Sequence, residues 1–210
     1  MPKFCNVVNG MIFVYVGTGQ VIAPLHGITV LIDPGHGGVD PGAIGSLNGV
    51  RFNESDLAMD ISLYLRLGLL GLGATVNMTH GGNSTYSPVP ARDRNMTYGN
   101  PDLVISMHLN SSTNLDAFGT LIYYTSECAT SRSLGSYVQD SLIELFGATR
   151  WNRVSPSSGW AVVANAEAPA ILVEAGFMSH TAELEFIVEN IREIADAILD
   201  GIVNHINSQQ

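Results

Sequence analysis

The sequence predicts one α/β domain built on a largely parallel sheet with helices on both faces. Three observations carry that expectation. Short β-branched runs alternate with long helical stretches from residue 28 onward. No repeat, linker or low-complexity segment interrupts residues 28–206. A length of 210 residues with 46% hydrophobic content suits a single packed core.

Taken in order, residues 1–27 form an N-terminal extension with a separate character. Met11–Val16 is a strand pattern, Gly17–Gln20 a turn and Val21–Ala23 the returning strand, so a β-hairpin is expected. The alternative is a signal peptide, but Asn6 and Asn9 interrupt the apolar stretch. The catalytic-size domain then spans 28–206. Ile28–Ile32 is a buried strand that runs into the Gly-rich turn Asp33–Gly38. Asn53 is positioned to cap a helix reaching about Leu72, with Asp56 three residues on. Leu57, Ile61 and Leu65 mark its apolar face. Further strands are expected at Thr75–Thr79, Leu103–Leu109, Thr120–Thr125, Trp160–Ala164 and Ala170–Glu174. Helices are expected at Val89–Met96, Ser131–Phe146 and Thr181 to about Ile206.

Composition excludes several classes. The formal charge is −10 with only nine Lys and Arg, so no nucleic-acid partner is expected, because phosphate binding needs clustered cations. Six acids against one base fall between Thr181 and Ile206, which suits a solvated helix face. Cys5 and Cys128 belong to no CxxC pattern, which excludes a disulfide scaffold and a thiolate-only zinc site. No apolar run approaches the ~20 residues of a membrane span, so no transmembrane segment is expected. An exposed strand edge in the extension would invite pairing between chains, which leaves monomer and dimer both open.

Ligands of open parallel sheets gather beyond the carboxyl ends of the strands. His36 follows the first strand, His108 ends the Leu103 strand, Glu174 ends the Ala170 strand, and Glu54 sits in the first helical turn. Two His and one carboxylate form a catalytic zinc set that leaves one position for water. Alone, each residue has a plainer reading: a satisfied polar His, or a helix-start carboxylate. Glu174 differs, because the preceding Ala-Ile-Leu-Val run should bury it and raise its pKa. Gly35, Gly37 and Gly38 permit positive φ and close backbone approach around His36.

Four segments, Asp33-Pro-Gly-His-Gly-Gly38, Asn53-Glu-Ser-Asp-Leu57, Ile105-Ser-Met-His-Leu-Asn110 and Val173-Glu-Ala-Gly-Phe-Met-Ser179, carry a resemblance. In order and spacing they resemble the signature blocks of the zinc-dependent N-acetylmuramoyl-L-alanine amidases, over roughly residues 28–206. The resemblance implies a twisted, mixed sheet flanked by helices. It implies one Zn²⁺ on His36, Glu54 and His108, Glu174 as the catalytic glutamate, and peptidoglycan as substrate. Two features depart from the pattern: the Ala91–Met96 segment, and His180 where Asn is common. Some relatives carry a regulatory helix between the second zinc histidine and the catalytic glutamate, and the 65 residues between His108 and Glu174 leave no room for one.

The implied chemistry is zinc-assisted amide hydrolysis with Glu174 moving the proton. A peptidase cutting within the stem peptide and a non-catalytic wall-binding module are the competing readings. A structural zinc site is disfavoured, since such sites usually use four protein ligands. The expected place of action is the cell wall. A phage-type lysis enzyme made in the host cytoplasm is favoured over a secreted bacterial enzyme.

Overall fold

The computed structural model describes residues 4–8, 11–16, 20–82, 98–157, 159–164 and 166–209. Its main sheet has six strands: β4 (Thr29–Pro34), β7 (Thr75–Met78), β8 (Leu103–Asn110), β9 (Leu121–Thr125), β10 (Arg153–Ser157) and β11 (Ala170–Phe177). The order is β10-β9-β11-β8-β4-β7, and every pairing is parallel except β11 with β9. The sheet is therefore mixed and mostly parallel, as the alternating pattern predicts.

Strand alternation divides the sheet into two unlike faces. Val30, Ile32, Ile105, Met107, Ile171 and Val173 point into the main core. There they meet Leu57, Ile61 and Leu65 of α1 (Glu54–Gly71), Leu134, Val138 and Leu142 of α2 (Ala129–Phe146), and Ile194, Ile198 and Ile202 of α5 (Ile191–Ser208). The residues between them, Leu31, Val104 and Leu172, form a smaller cluster with Val162 and Val163 of the one-turn helix α3 (Ala161–Ala164). Among the described residues, three long helices pack on one face and the single turn α3 packs on the other. His108 and Glu174 share the alternation of Ser106 and Leu172, so both belong to the face on which α3 packs.

Several local expectations are corrected. Trp160–Ala164 is expected as a strand but is a helical turn, with the Trp160 carbonyl accepting from the N–H groups of Val163 and Ala164. Both edges of β11 are already occupied by β8 and β9. The Val-Val pair packs on the sheet instead, with both side chains buried against Leu31, Val104 and Leu172. The strand at that end is β10, where Pro156 is tolerated because the strand lies at the sheet edge. A hairpin not foreseen in the sequence joins β5 (Ile44–Leu47) to β6 (Val50–Asn53). Its turn, Asn48-Gly49, has positive φ at both positions, a conformation that Asn-Gly favours. The last helix divides at Asn190 into α4 (Thr181–Glu189) and α5, with the Asn190 side chain donating to the Phe186 carbonyl at 2.8 Å. The helix expected at Val89–Met96 lies outside the described residues.

Asn53 precedes α1 as expected, yet its side chain does not cap it; it donates to Asp56 at 3.0 Å and accepts from Arg51. The free N–H groups of Glu54 and Ser55 bond instead to the carbonyls of Ala43 and Pro41. This ties the start of α1 to the loop after β4. His180 caps α4, its Nδ1 lying 3.2 Å from the Glu183 amide, so an imidazole fills the capping place of an Asn. In the N-terminal segment, β2 (Met11–Val16) pairs antiparallel with β3 (Gln20–Ile22), and β1 (Phe4–Val8) adds a third strand beside β2.

Helices α2 and α5 cross closely at Gly201. A Cβ there would lie 2.5 Å from the Val138 Cα, a backbone atom that cannot swing away. Helix propensity favours Ala over Gly by ~1 kcal/mol, but overpacking costs ~1–3 kcal/mol, so the contact wins. The net cost of up to about 2 kcal/mol means that Gly201→Ala is expected to lower the melting temperature by up to about 8 °C. Gly71→Ala, where a Cβ meets nothing within 4 Å, is expected to leave it unchanged or raise it. Thermal unfolding of the two variants compares packing with propensity directly.

Candidate active site

Three elements deliver the site. β4 ends in the loop carrying His36, α1 begins with Glu54, and β8 carries His108 near its carboxyl end. His36 has φ 57, a left-handed conformation unusual for a residue with a side chain. The loop holds it there through the Gly35 amide bonded to the Met107 carbonyl at 2.7 Å and through paired bonds between Gly37 and Asp40. Gly37 and Gly38 have positive φ, as expected, whereas Gly35 serves by closeness: a Cβ there would strike the His108 ring.

The side chains of His36, Glu54 and His108 converge. His36 Nε2 lies 3.1 Å and His108 Nδ1 2.9 Å from the same oxygen, Glu54 Oε1. One ligand atom from each residue can be chosen so that all lie within 4.8 Å, which is the geometry of a metal-holding group. Tetrahedral bonds of about 2.1 Å place ligand atoms roughly 3.4 Å apart, so moving these atoms apart by a few tenths of an ångström would admit a zinc ion. Two imidazoles and one carboxylate also suit that ion chemically.

The carboxylate is locked from behind. Glu54 Oε2 accepts from the Ala43 amide at 2.8 Å and Oε1 from the Leu109 amide at 3.1 Å. Burial opposes its charge, but bonds to His108 and His36 outweigh burial and hold its pKa well below the usual carboxylate range. Burial likewise pulls His36 down, while hydrogen bonds and charge from Glu54 and Asp40 together raise it to about 9. Asp40 accepts from or pairs with His36 Nδ1 at 2.9 Å and accepts from the Gly42 amide, so it orients the ring from outside. Gly42, at φ 66, has no room for a Cβ against His36 and Glu54.

Glu174 stands beside His108 in strand register. Only 5% of the residue is exposed, and among the described residues its Oε2 has no hydrogen-bond partner. Desolvation raises its pKa to about 7, against a smaller pull from His108. The four expected residues thus come together at the carboxyl-end edge of β4, β8 and β11.

Further residues contribute that sequence reasoning did not single out. Asp33 is fully buried and accepts from Thr79 Oγ1 at 2.7 Å and Ser106 Oγ at 2.9 Å, pinning the start of the His36 loop to two strands. Its signal was available, since it ends an apolar strand as Glu174 does. Glu183 accepts from the Gly119 and Phe177 amides, each at 2.7 Å, and ties the loop after β8 to the end of β11. Trp160 lies beside His108, with ring centroids 6.2 Å apart. No spacing rule in the sequence reveals that proximity.

An α/β sheet bearing a His-Glu-His group that could hold a metal, with a buried carboxyl beside it, has the makings of a hydrolase site. Comparison narrows the class. A family profile described as N-acetylmuramoyl-L-alanine amidase matches residues 30–204, and the chain belongs to that family. It is 28% identical over 202 residues to the germination-specific N-acetylmuramoyl-L-alanine amidase of Bacillus subtilis, covering 89% of this chain and 83% of that protein. It is 30% identical over 190 residues to the amidase LytC of the same organism, of which the chain spans only 37%. The crystal structure of an N-acetylmuramoyl-L-alanine amidase from Clostridium difficile 630 superposes with TM-score 0.78 at 26% identity, covering 87% of this chain and 98% of that one. The chain is therefore an amidase that acts on peptidoglycan of the cell wall. Among the described residues no helix is long and apolar enough to cross a membrane.

Proposed function

We propose that the chain cleaves the amide between N-acetylmuramic acid and L-alanine with one Zn²⁺ held by His36, Glu54 and His108, and with Glu174 as the proton carrier. The observation that carries this reading is the pairing of a convergent His-Glu-His group with an unpartnered buried carboxyl in the adjacent register position. A bound Zn²⁺ supplies Lewis-acid polarisation of the scissile carbonyl and brings the pKa of water toward ~7.

The chain's own residues do the rest. The Glu174 carboxyl, raised toward neutrality by burial, takes a proton from the attacking water. It then delivers that proton to the departing L-alanine nitrogen, which cannot leave as an anion. A pKa near 7 serves both steps, because neither protonation state is strongly favoured. Asp40 keeps the His36 ring turned so that Nε2 faces the centre. The backbone amides on Glu54 keep that carboxylate from rotating.

Between His108 and Glu174 the described residues are taken up by β9, α2, β10 and α3, all of which pair in the sheet or pack on it. This supports an enzyme that works without an activator. Purified chain incubated alone with purified peptidoglycan is expected to release peptides with a new amino-terminal L-alanine. Mass spectrometry showing a cut inside the stem peptide would make it a peptidase instead. Turnover only after a second protein is added would overturn the unaided reading.

A further inference from the structure

We propose that Trp160 is the platform on which the N-acetylmuramic acid ring of the substrate stacks. The inference rests on the amidase reading and adds a binding site for the sugar to it.

Trp160 is the residue just before α3, the turn that packs on the same sheet face as Leu31, Val104 and Leu172. It is 42% exposed, although large aromatic side chains are ordinarily far more buried. Its backbone is held at both ends: the Trp160 carbonyl accepts from two amides of α3, and its own amide bonds to Ser157 Oγ at 3.3 Å. Behind it, Tyr123 lies at 6.0 Å between ring centroids, tilted by 48°. Beside it, the His108 ring lies at 6.2 Å, tilted by 40°. The indole thus lies beside two aromatic rings, one of them in the His-Glu-His group, with 42% of the residue left exposed.

Distance and charge select the ligand. The scissile carbonyl belongs to the lactyl group, joined to the sugar ring through three bonds of about 1.5 Å, so it reaches roughly 4 Å from that ring. A sugar stacked on Trp160 can therefore present its lactyl carbonyl at the triad, and a sugar further along the glycan cannot. The C–H face of a pyranose is uncharged, which matches an indole backed by a phenol. The stem peptide carries carboxylates that call for cationic partners, and Trp160 has none to offer. Ordering one sugar on a fixed surface also orients the amide for attack.

The test compares wild type, Trp160→Ala and Trp160→Phe on a purified disaccharide-peptide fragment of peptidoglycan. Loss of the platform is expected to raise KM about 3- to 10-fold with kcat changed less than about twofold, and Phe to recover most of the loss. A second measurement uses the Trp151→Phe protein, in which Trp160 is the one remaining tryptophan. Titration with the peptide-free disaccharide is expected to shift its fluorescence saturably, while sugar-free stem peptide does not. Unchanged KM in Trp160→Ala, or fluorescence that answers to the peptide and not the disaccharide, overturns the proposal. If wild type cleaves no fragment, the amidase reading fails, and the fluorescence titration still decides whether Trp160 takes a sugar.

Discussion

Replacing Glu174 with Gln is expected to lower kcat/KM at least ~10²-fold on peptidoglycan while the metal content of the purified protein stays at the wild-type level. General acid–base catalysis contributes ~10²–10⁴-fold, and Gln keeps the volume but carries no transferable proton. The variant should fold. Gln leaves a buried amide group without a partner where Oε2 stands, which costs ~1–3 kcal/mol, but it also removes a carboxyl that resists ionisation in that environment. The two effects are of similar size, so little net change is expected at neutral pH. The pH dependence separates them. Burial pushes the folded-state pKa up to about 7 from the ordinary glutamate value of 4.5, so this group's contribution to stability is full below pH 4.5 and is lost as pH rises through 7. Metal-free wild type should show that decline in melting temperature against Glu174→Gln, and the variant should not. In the loaded enzyme the cation favours the ionised carboxylate, so the acid limb of the rate profile should fall below 7 and above the ordinary carboxylate value. A Gln variant with wild-type turnover would send the search for the proton carrier elsewhere.

Much of this site was legible because each functional residue sits where a periodic segment stops. His36 follows an apolar strand, Glu54 opens a helix, and His108 and Glu174 lie at register-paired positions of two strands whose apolar runs announce them. Side-chain alternation did the rest: Ser106 and His108 fall on one face, Leu172 and Glu174 on the same one. The failures have equally local causes. Val162 and Val163 look like a strand because propensity cannot see that both neighbours of β11 are already paired. Pro156 and three polar neighbours hid β10, which only an edge position permits. Asn48-Gly49 was a turn signal overlooked because the strands beside it are short and half exposed.

The unlike faces of the sheet connect fold to chemistry. The helices α1, α2 and α5 supply the stability through one continuous apolar cluster, and none of His36, Glu54, His108 or Glu174 belongs to it. On the opposite face the described residues pack a smaller cluster with α3, and Trp160, just before that turn, is 42% exposed. The stabilising cluster and the candidate site residues are therefore separate groups on the same strands.

That separation shapes what removing the metal should do. The apoprotein is expected to stay folded, because the main cluster does not depend on the triad and Glu54 keeps its bonds to both imidazoles and to two backbone amides. Chelation should therefore abolish hydrolysis without changing the far-ultraviolet circular dichroism, and one equivalent of Zn²⁺ should restore it. Without metal, His36 has a pKa of about 9 and is protonated at neutral pH. A ligand nitrogen must be neutral, so binding has to expel that proton. The affinity should then rise about tenfold for each pH unit up to roughly 9, and calorimetry in buffers of different ionisation enthalpy should show about one proton released per ion near pH 7. At a free zinc concentration ~1,000-fold above Kd, binding adds ~4 kcal/mol, which raises the melting temperature by about 8–16 °C. Glu54→Ala removes the oxygen that both histidines approach, and it should eliminate both that rise and the activity. Full turnover in excess chelator by protein shown to contain no zinc would end the metal mechanism, whatever the likeness of the fold to known amidases.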